Sequence, residues 1–373
     1  MGLKILIVTD KFKGSLPADE AAAAIAKGWK AVRKGDRIRL LPMSDGGDGF
    51  GPVFGGLIGA RVQKTKTMDA AHRPIVASWW WHQPSLTAIV ESARVIGLAQ
   101  LPPEQFHPFQ LDTVGLAAVL RAASVRGAKR CFVGIGGSAT NDGGFGMALG
   151  LGWDFLRSDG SAIKQWTELG NLEEILPPAR EESIRGMKVI VAVDVKNRLL
   201  GAQGCSRVYG PQKGLKPEDF PAAEFALRKL ARVTKGLLGN DFSIEAGAGA
   251  AGGLGFGLLA YAGSSKQSGF ELFSQLSRLE QRIQQADVVI TGEGALDRQT
   301  LMGKGVGEIA LLCARHHVPC LGMAGVVTEP KKARKLFLSA RGLVELTSVE
   351  QAKAEPARFL AQLAGEMARD FKQ

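Results

Sequence analysis

Apolar residues follow two rhythms along this chain. Runs such as "KILIVTD" at 4–10, "RCFVGI" at 130–135, "KVIVAVDV" at 188–195 and "ADVVITG" at 286–292 are continuous, the pattern of strands buried on both faces. Other segments are periodic: in "ADEAAAAIAKGWKAV", 18–32, Ile25, Trp29 and Val32 fall on one helical face, with Asp19 and Glu20 where a helix dipole favours acids. With "RIRLLPM" as the next strand, the chain opens as a βαβ unit. It closes in the same rhythm: strand "ADVVITG", helix "VGEIALLCARHH", strand "VPCLGMAGV", helix "PKKARKLFLSA", strand "GLVELTSV" and helix "PARFLAQLAGEMARDF". The middle is mixed. "PIVASWWWHQPSLTAIVE" reads as a hairpin turning at Gln83–Ser85, whose alternation would bury Trp80 and half-expose its neighbours.

Neither chain end has enough strands for a stable parallel sheet, but joined they make about five, a usual number. The expected fold is therefore α/β with two domains. A doubly wound, Rossmann-like parallel sheet domain is built from 1–62 and 283–373, and a mixed-sheet α/β domain, 63–282, is inserted into it and carries a glycine-rich loop.

Composition supports this picture. The 373 residues are 45% hydrophobic and 22% charged, a soluble globular profile with room for two domains. No apolar run approaches a membrane span, and "MGLKILIVTDKF" enters a strand with no signal peptide visible, so a cytoplasmic protein is expected. Cys131, Cys205, Cys313 and Cys320 form no CxxC pair and read as reduced core thiols. The net charge of +11 favours anionic ligands, but two tyrosines and no aromatic–basic interleaving argue against nucleic acid; "KKARK", 331–335, reads as the solvated face of a helix.

Chemistry concentrates in loops. "GIGGSATNDGGFG", 134–146, lies between a strand and a helix, where successive N–H groups and a helix N-terminus can face an anion. No GK[ST] follows, so it is not a Walker loop. "GIGGSA" with Asp154 does fit the dinucleotide pattern, which keeps a nicotinamide-dependent oxidoreductase open. Acids and lysines follow three strands of the discontinuous domain: Asp10, Lys13 and Ser15 in "DKFKGSL", Asp45 and Asp48 in "SDGGDG", Glu293 and Asp297 in "GEGALDRQT", then Lys304. Open α/β sheets bind ligands at such strand ends. The insert adds Asp194 after a strand, Gln212 and Lys213 in "YGPQKGL", and a second glycine-rich stretch, "GAGAAGGLGFG", 247–257, suited either to a ligand or to close helix packing. His72, His82, His107, His316 and His317 form no HExxH or Cys/His cluster, so zinc is not expected, and no GxSxG elbow is present. Glycine cradle, carboxylates and lysines suit phosphoryl transfer, and a cation held by carboxylates beside phosphates would be Mg²⁺.

The motifs "DKFKGSL", "SDGGDG", "GIGGSATNDGG", "DVKNRLLG", "GPQKG", "GAGAAGGLG" and "ITGEGALDRQT…GK" resemble, in order over most of the chain, the bacterial glycerate kinase family. This is the two-domain type unrelated to P-loop kinases. The resemblance implies ATP- and Mg²⁺-dependent phosphorylation of a glycerate hydroxyl to phosphoglycerate, 2-phosphoglycerate being favoured, in a cleft between two α/β domains that close on the substrates. Lys11, Arg198 and Ala295 depart from its usual serine, proline and arginine. On this reading Asp194, Asp45, Lys13 and Lys213 are catalytic. Gly136, Gly137, Ser138, Thr140, Asn141, Asp142, Gly143 and Gly144 bind the nucleotide phosphates. Asp10, Ser15 and Gln212 bind substrate, and Glu293 and Asp297 hold the metal. Asp45, Asp194, Glu293 and Asp297 are expected to converge, near Lys13 or Lys304. The partners are glycerate and ATP, with no nucleic acid or membrane. A non-catalytic regulator that senses a sugar acid on the same scaffold is the remaining alternative.

Overall fold

In the computed structural model, residues 2–179, 184, 186–301 and 305–372 are described; Lys304 lies outside them. Among the described residues thirteen strands follow in chain order. β1 is Lys4–Thr9, β2 Arg37–Leu40, β3 Arg61–Met68, β4 Pro74–His82, β5 Thr87–Glu91, β6 Arg130–Gly134 and β7 Asp154–Leu156. β8 is Glu174–Leu176, β9 Lys188–Ala192, β10 Ser265–Gln267, β11 Val288–Leu296, β12 Cys320–Val327 and β13 Ser339–Gly342.

The chain divides into two compact units, Met1–Asp45 with Phe270–Gln373, and Gly46–Gly269. The first holds a sheet of order β13-β12-β11-β1-β2, parallel at every pairing. Ile5 and Ile7 of β1 face the helices Ala18–Val32 and Pro356–Asp370, whose Ile25, Trp29, Leu360 and Leu363 complete that core. β1 lies inside the sheet between β11 and β2. Because every pairing is parallel, every crossover must be long, and the one from β2 to β11 is the whole second unit.

The second unit has a mixed sheet of order β10-β9-β6-β5-β4-β3 and a separate antiparallel pair, β7-β8. The hairpin reading holds: β4 and β5 are antiparallel, Trp81 opposite Ala88. The tryptophan alternation does not hold, because Trp79, Trp80 and Trp81 are all buried. Both faces of β4 are covered. Trp79 and Trp81 enter the main core, while Trp80 lies on the helix Phe50–Ile58, where a Cβ on Gly51 would come within 1.9 Å of its ring.

The insert starts and ends earlier than 63–282, and the contact explains its start. The helix Phe50–Ile58 belongs to the second unit through Trp80, and Phe273, Leu279 and Ile283 of the following helices are buried in the first. Two strand ends also differ from the sequence reading. β11 continues past Gly292 to Leu296, paired with β12, and β13 precedes "GLVELTSV", which begins a 3-10 turn at Leu343–Glu345. All four cysteines are buried and none is joined in a disulfide. Among the described residues no helix is long and apolar enough to cross a membrane.

Candidate active site

In the first unit the acids gather at the carboxyl ends of β1, β2 and β11. The Asp10 N–H bonds the Gly292 carbonyl at 2.9 Å, which sets Asp10 beside β11. After β2 the chain stays along β1 through Leu41 N–H to Ile7 O and Met43 N–H to Thr9 O, both 2.8 Å, and this carries Asp45 to the same end. Glu293 follows at the next position of β11, opposite Ala324. Asp10 is pushed up to about 7, first by burial and then by repulsion from Asp45, against the attraction of Lys11 and its N–H. Glu293 is also raised to about 7, first by burial, with the Thr300 hydroxyl opposing and Asp10, Asp297 and Asp45 adding repulsion. Burial and like charge both disfavour the ionised form, so this group of acids calls for a cation.

Thr300, which the sequence reading passed over inside "LDRQT", organises the group. Its hydroxyl donates to Glu293 Oε1 at 2.7 Å, and its N–H donates to Asp297 Oδ1 at 3.2 Å. Asp297 thus caps the short helix Arg298–Leu301, a structural duty beside the metal-binding one expected of it. In "DKFKGSL", the Phe12 and Leu16 backbones bond reciprocally, and Ser15 Oγ donates to the Phe12 carbonyl at 3.0 Å. Lys13 stands exposed at the tip of this turn.

The second unit holds the glycine loop. Its N–H groups are largely taken by protein acceptors: Gly136 donates to Gly46 O, Ala139 to Ile96 O, Gly143 to Gly252 O, and Gly144 and Gly146 to Asp142 Oδ1 and Oδ2. Asp142 is fully buried and also accepts the Thr113 N–H at 3.0 Å and hydroxyl at 2.7 Å. Burial, then the Asp112 charge, raises it to about 6. Asp142 therefore has a structural duty: it pins the loop and its following helix to Thr113. Thr140, Asn141, Gly143 and Gly144 are buried with it; only Gly136 and Gly137 reach the surface. The second glycine stretch explains the burial. A Cβ at Gly252 would sit 1.9 Å from Thr140 O, and one at Gly257 2.7 Å from Gly144, so its role is backbone-to-backbone packing. Asp154, the acid of the dinucleotide pattern, lies on the separate strand pair β7-β8.

Lys213 is buried and donates to Ser138 Oγ at 3.0 Å and Thr140 O at 2.7 Å. Burial lowers it to about 8, against Cys205 and Asp142, which raise it. Gln212 beside it is exposed. Asp194 Oδ1 accepts Ser268 Oγ at 2.6 Å and the Gly269 N–H at 3.1 Å. Of the four acids expected to converge, Asp45, Glu293 and Asp297 gather in the first unit with Asp10, and Asp194 belongs to the second. Sequence reading also missed Glu91, whose carboxylate takes the Gly49 and Gly51 N–H groups at 3.1 and 2.9 Å and so holds the start of the helix Phe50–Ile58.

A parallel sheet ending in repelling carboxylates, with a buried lysine on a glycine loop, has the parts of a phosphotransferase that acts on an alcohol. The chain belongs to the glycerate kinase family, whose sequence profile matches residues 5–372. It is 35% identical to a glycerate kinase of Bacillus subtilis over 377 residues, covering 99% of this chain and 98% of that protein. It is 34% identical to a glycerate 2-kinase of Escherichia coli over 329 residues, 88% of this chain and 86% of that protein. A crystal structure assigned as glycerate kinase 2 from Salmonella typhimurium LT2 superposes with a TM-score of 0.81 at 30% identity, covering 99% of this chain and 98% of that one.

Proposed function

We propose that the protein transfers the γ-phosphoryl group of ATP to a glycerate hydroxyl, giving 2-phosphoglycerate, in the cytoplasm. The observation that carries this reading is the carboxylate group of Asp10, Asp45, Glu293 and Asp297, with Asp10 and Glu293 raised to about 7. Family membership supports the kinase class, and the name of the Escherichia coli relative supports the 2-position.

Mg²⁺ fits the donor set. Hard oxygen ligands that repel one another suit a hard cation, and Mg²⁺ is usually held by one or two carboxylates together with substrate phosphates. Among the described residues no three acids, histidines or cysteines are placed to hold a metal by themselves, which accords with a site completed by the nucleotide. Glu293 and Asp297 would hold the ion, which when bound neutralises charge on the phosphoryl oxygens. The protein groups have their own tasks in this reading. Gly136 and Gly137 meet the phosphates at the accessible end of the loop, with Ser138 buried behind them and Lys213 bonded to it to fix the loop and supply charge. Asp194 orients the attacking hydroxyl, Asp45 and Lys13 serve the transfer itself, and Asp10, Ser15 and Gln212 bind the substrate. Phosphoryl transfer needs positioning and charge more than covalent help from the protein, which matches this inventory.

The test is ATP consumption with and without glycerate, and with EDTA, followed by ³¹P NMR of the product. Glycerate-dependent consumption that EDTA abolishes is expected, with the phosphorus split by a single methine proton. ATP consumption indifferent to glycerate would sink the assignment, and splitting by a methylene pair would move the phosphate to the 3-position.

A further inference from the structure

We infer that the first unit carries a second anion site, for a small phosphate-class oxyanion, at the start of β1 and β2. A cavity of about 210 Å³ there is lined by Lys4, Arg37, Arg39 and Arg282, with Gln285 and Ala286. The parallel register pairs Lys4 with Arg37 and Leu6 with Arg39, so the three cationic side chains leave one face of the sheet. It is the face opposite Ile5 and Ile7, which are buried under the long helices. Arg282 comes from the helix Leu279–Gln284, whose Leu279 and Ile283 are buried, and its Nε donates to the Ser277 carbonyl at 2.6 Å. That bond fixes the guanidinium and leaves its other N–H donors for a ligand. The Lys4 backbone is fixed as well, by its N–H to Asp287 Oδ2 at 2.7 Å and its carbonyl to the Asp287 N–H at 2.8 Å.

Among the described residues no carboxylate pairs with the side chain of Lys4, Arg37, Arg39 or Arg282. Charges on an edge strand such as β2 ordinarily blunt its tendency to pair with other chains. That explains Arg37 and Arg39 alone; it does not explain an arginine brought by a helix and anchored over the same cavity. Guanidinium forks match phosphate oxygens, and the volume lies below the roughly 300–1,000 Å³ of sites for drug-sized ligands, so the occupant is a small ion. From Lys4 to Asp10 is about 20 Å at the rise of a strand, so the cavity is separate from the acids at the other end of β1.

Calorimetric titration of the full chain with inorganic phosphate, and separately with 2-phosphoglycerate, tests this. The Arg37→Gln/Arg39→Gln and Arg282→Gln variants are expected to lose at least tenfold in affinity at one phosphate site, with glycerate turnover in phosphate-free buffer unchanged. Arg39→Lys, which keeps the charge but not the fork, should weaken binding less and serves if the double variant folds poorly. A larger loss for 2-phosphoglycerate than for phosphate identifies a phosphorylated acid as occupant; equal losses identify free phosphate. Unchanged phosphate binding in folded variants overturns the inference, as does a phosphate site lost only in Lys213→Met.

Discussion

Lys213 carries a charge that water scarcely reaches, and two loop oxygens hold its ammonium in place. Lys213→Met removes both bonds and should lower kcat/KM more than about tenfold, the scale of a lost charge-assisted contact, in a protein whose circular dichroism is unchanged. Its value of about 8, with Asp10 at about 7, predicts a narrow bell in the pH–rate profile. Activity should rise as the carboxyl ionises and fall as the lysine loses its proton; a profile flat from pH 6 to pH 9 would exclude both from the rate. Stability runs the opposite way to the acid limb. The folded Asp10 carboxyl binds its proton more tightly than the unfolded one, so the native state holds more protons between about pH 4 and pH 7, and stability falls as pH rises through that window. Asp10→Asn should therefore stabilise the ligand-free protein at pH 8 by about 1–2 kcal/mol, allowing for solvent screening, while reducing turnover. Thermal melts at pH 5 and pH 8 read this directly. The acids themselves were legible, because each follows an apolar strand next to glycine or a turn. The duty of Asp142 was not, since the groups that saturate it include Thr113, 29 positions away.

At the scale of elements, buried strands were readable because burial on both faces leaves an unbroken apolar run. The same burial misled the reading of "SWWWH", where alternation presupposes a solvent face that β4 lacks. The contact of Trp80 with the helix Phe50–Ile58 depends on missing side chains, because a Cβ at Gly55 would approach the indole to 2.4 Å. Gly55→Ala should destabilise the protein by about 1–3 kcal/mol, as overpacking does. Trp80→Phe in the same chain should recover part of that loss. Additive effects in denaturant titrations of the two single variants and the pair would show that the ring and the glycine do not meet.

The whole molecule is one parallel sheet domain interrupted by another domain, and the alternation of strands and helices at both chain ends made this readable. The joints were misplaced because Phe50–Ile58, "FGPVFGGLI", has no charge to mark an exposed side and hides its allegiance until Trp80 is located. Both ends of the insert lie at the end of β9: a Cβ on Gly46 would meet Ala192 O at 2.9 Å, and the Gly269 N–H bonds Asp194. A polypeptide of residues 46–269 should therefore fold alone, with one cooperative thermal transition; a melt without cooperativity would mean the sheet needs the other unit.

The place of β1 between β11 and β2 has a further consequence, during synthesis. Lys4 and the Asp287 that fixes it are 283 positions apart. At about 5–20 residues per second, a ribosome takes about 15–60 s to deliver β11 after β1 has emerged. For that interval "KILIVT" has an open edge and no neighbour on that side, and its five residues after Lys4 are a short uncharged stretch of high strand propensity of the kind that joins other chains. The nascent protein should therefore engage trigger-type chaperones until β11 arrives, and ribosome profiling of chaperone-bound chains should show their release only after the codons for β11 have been translated.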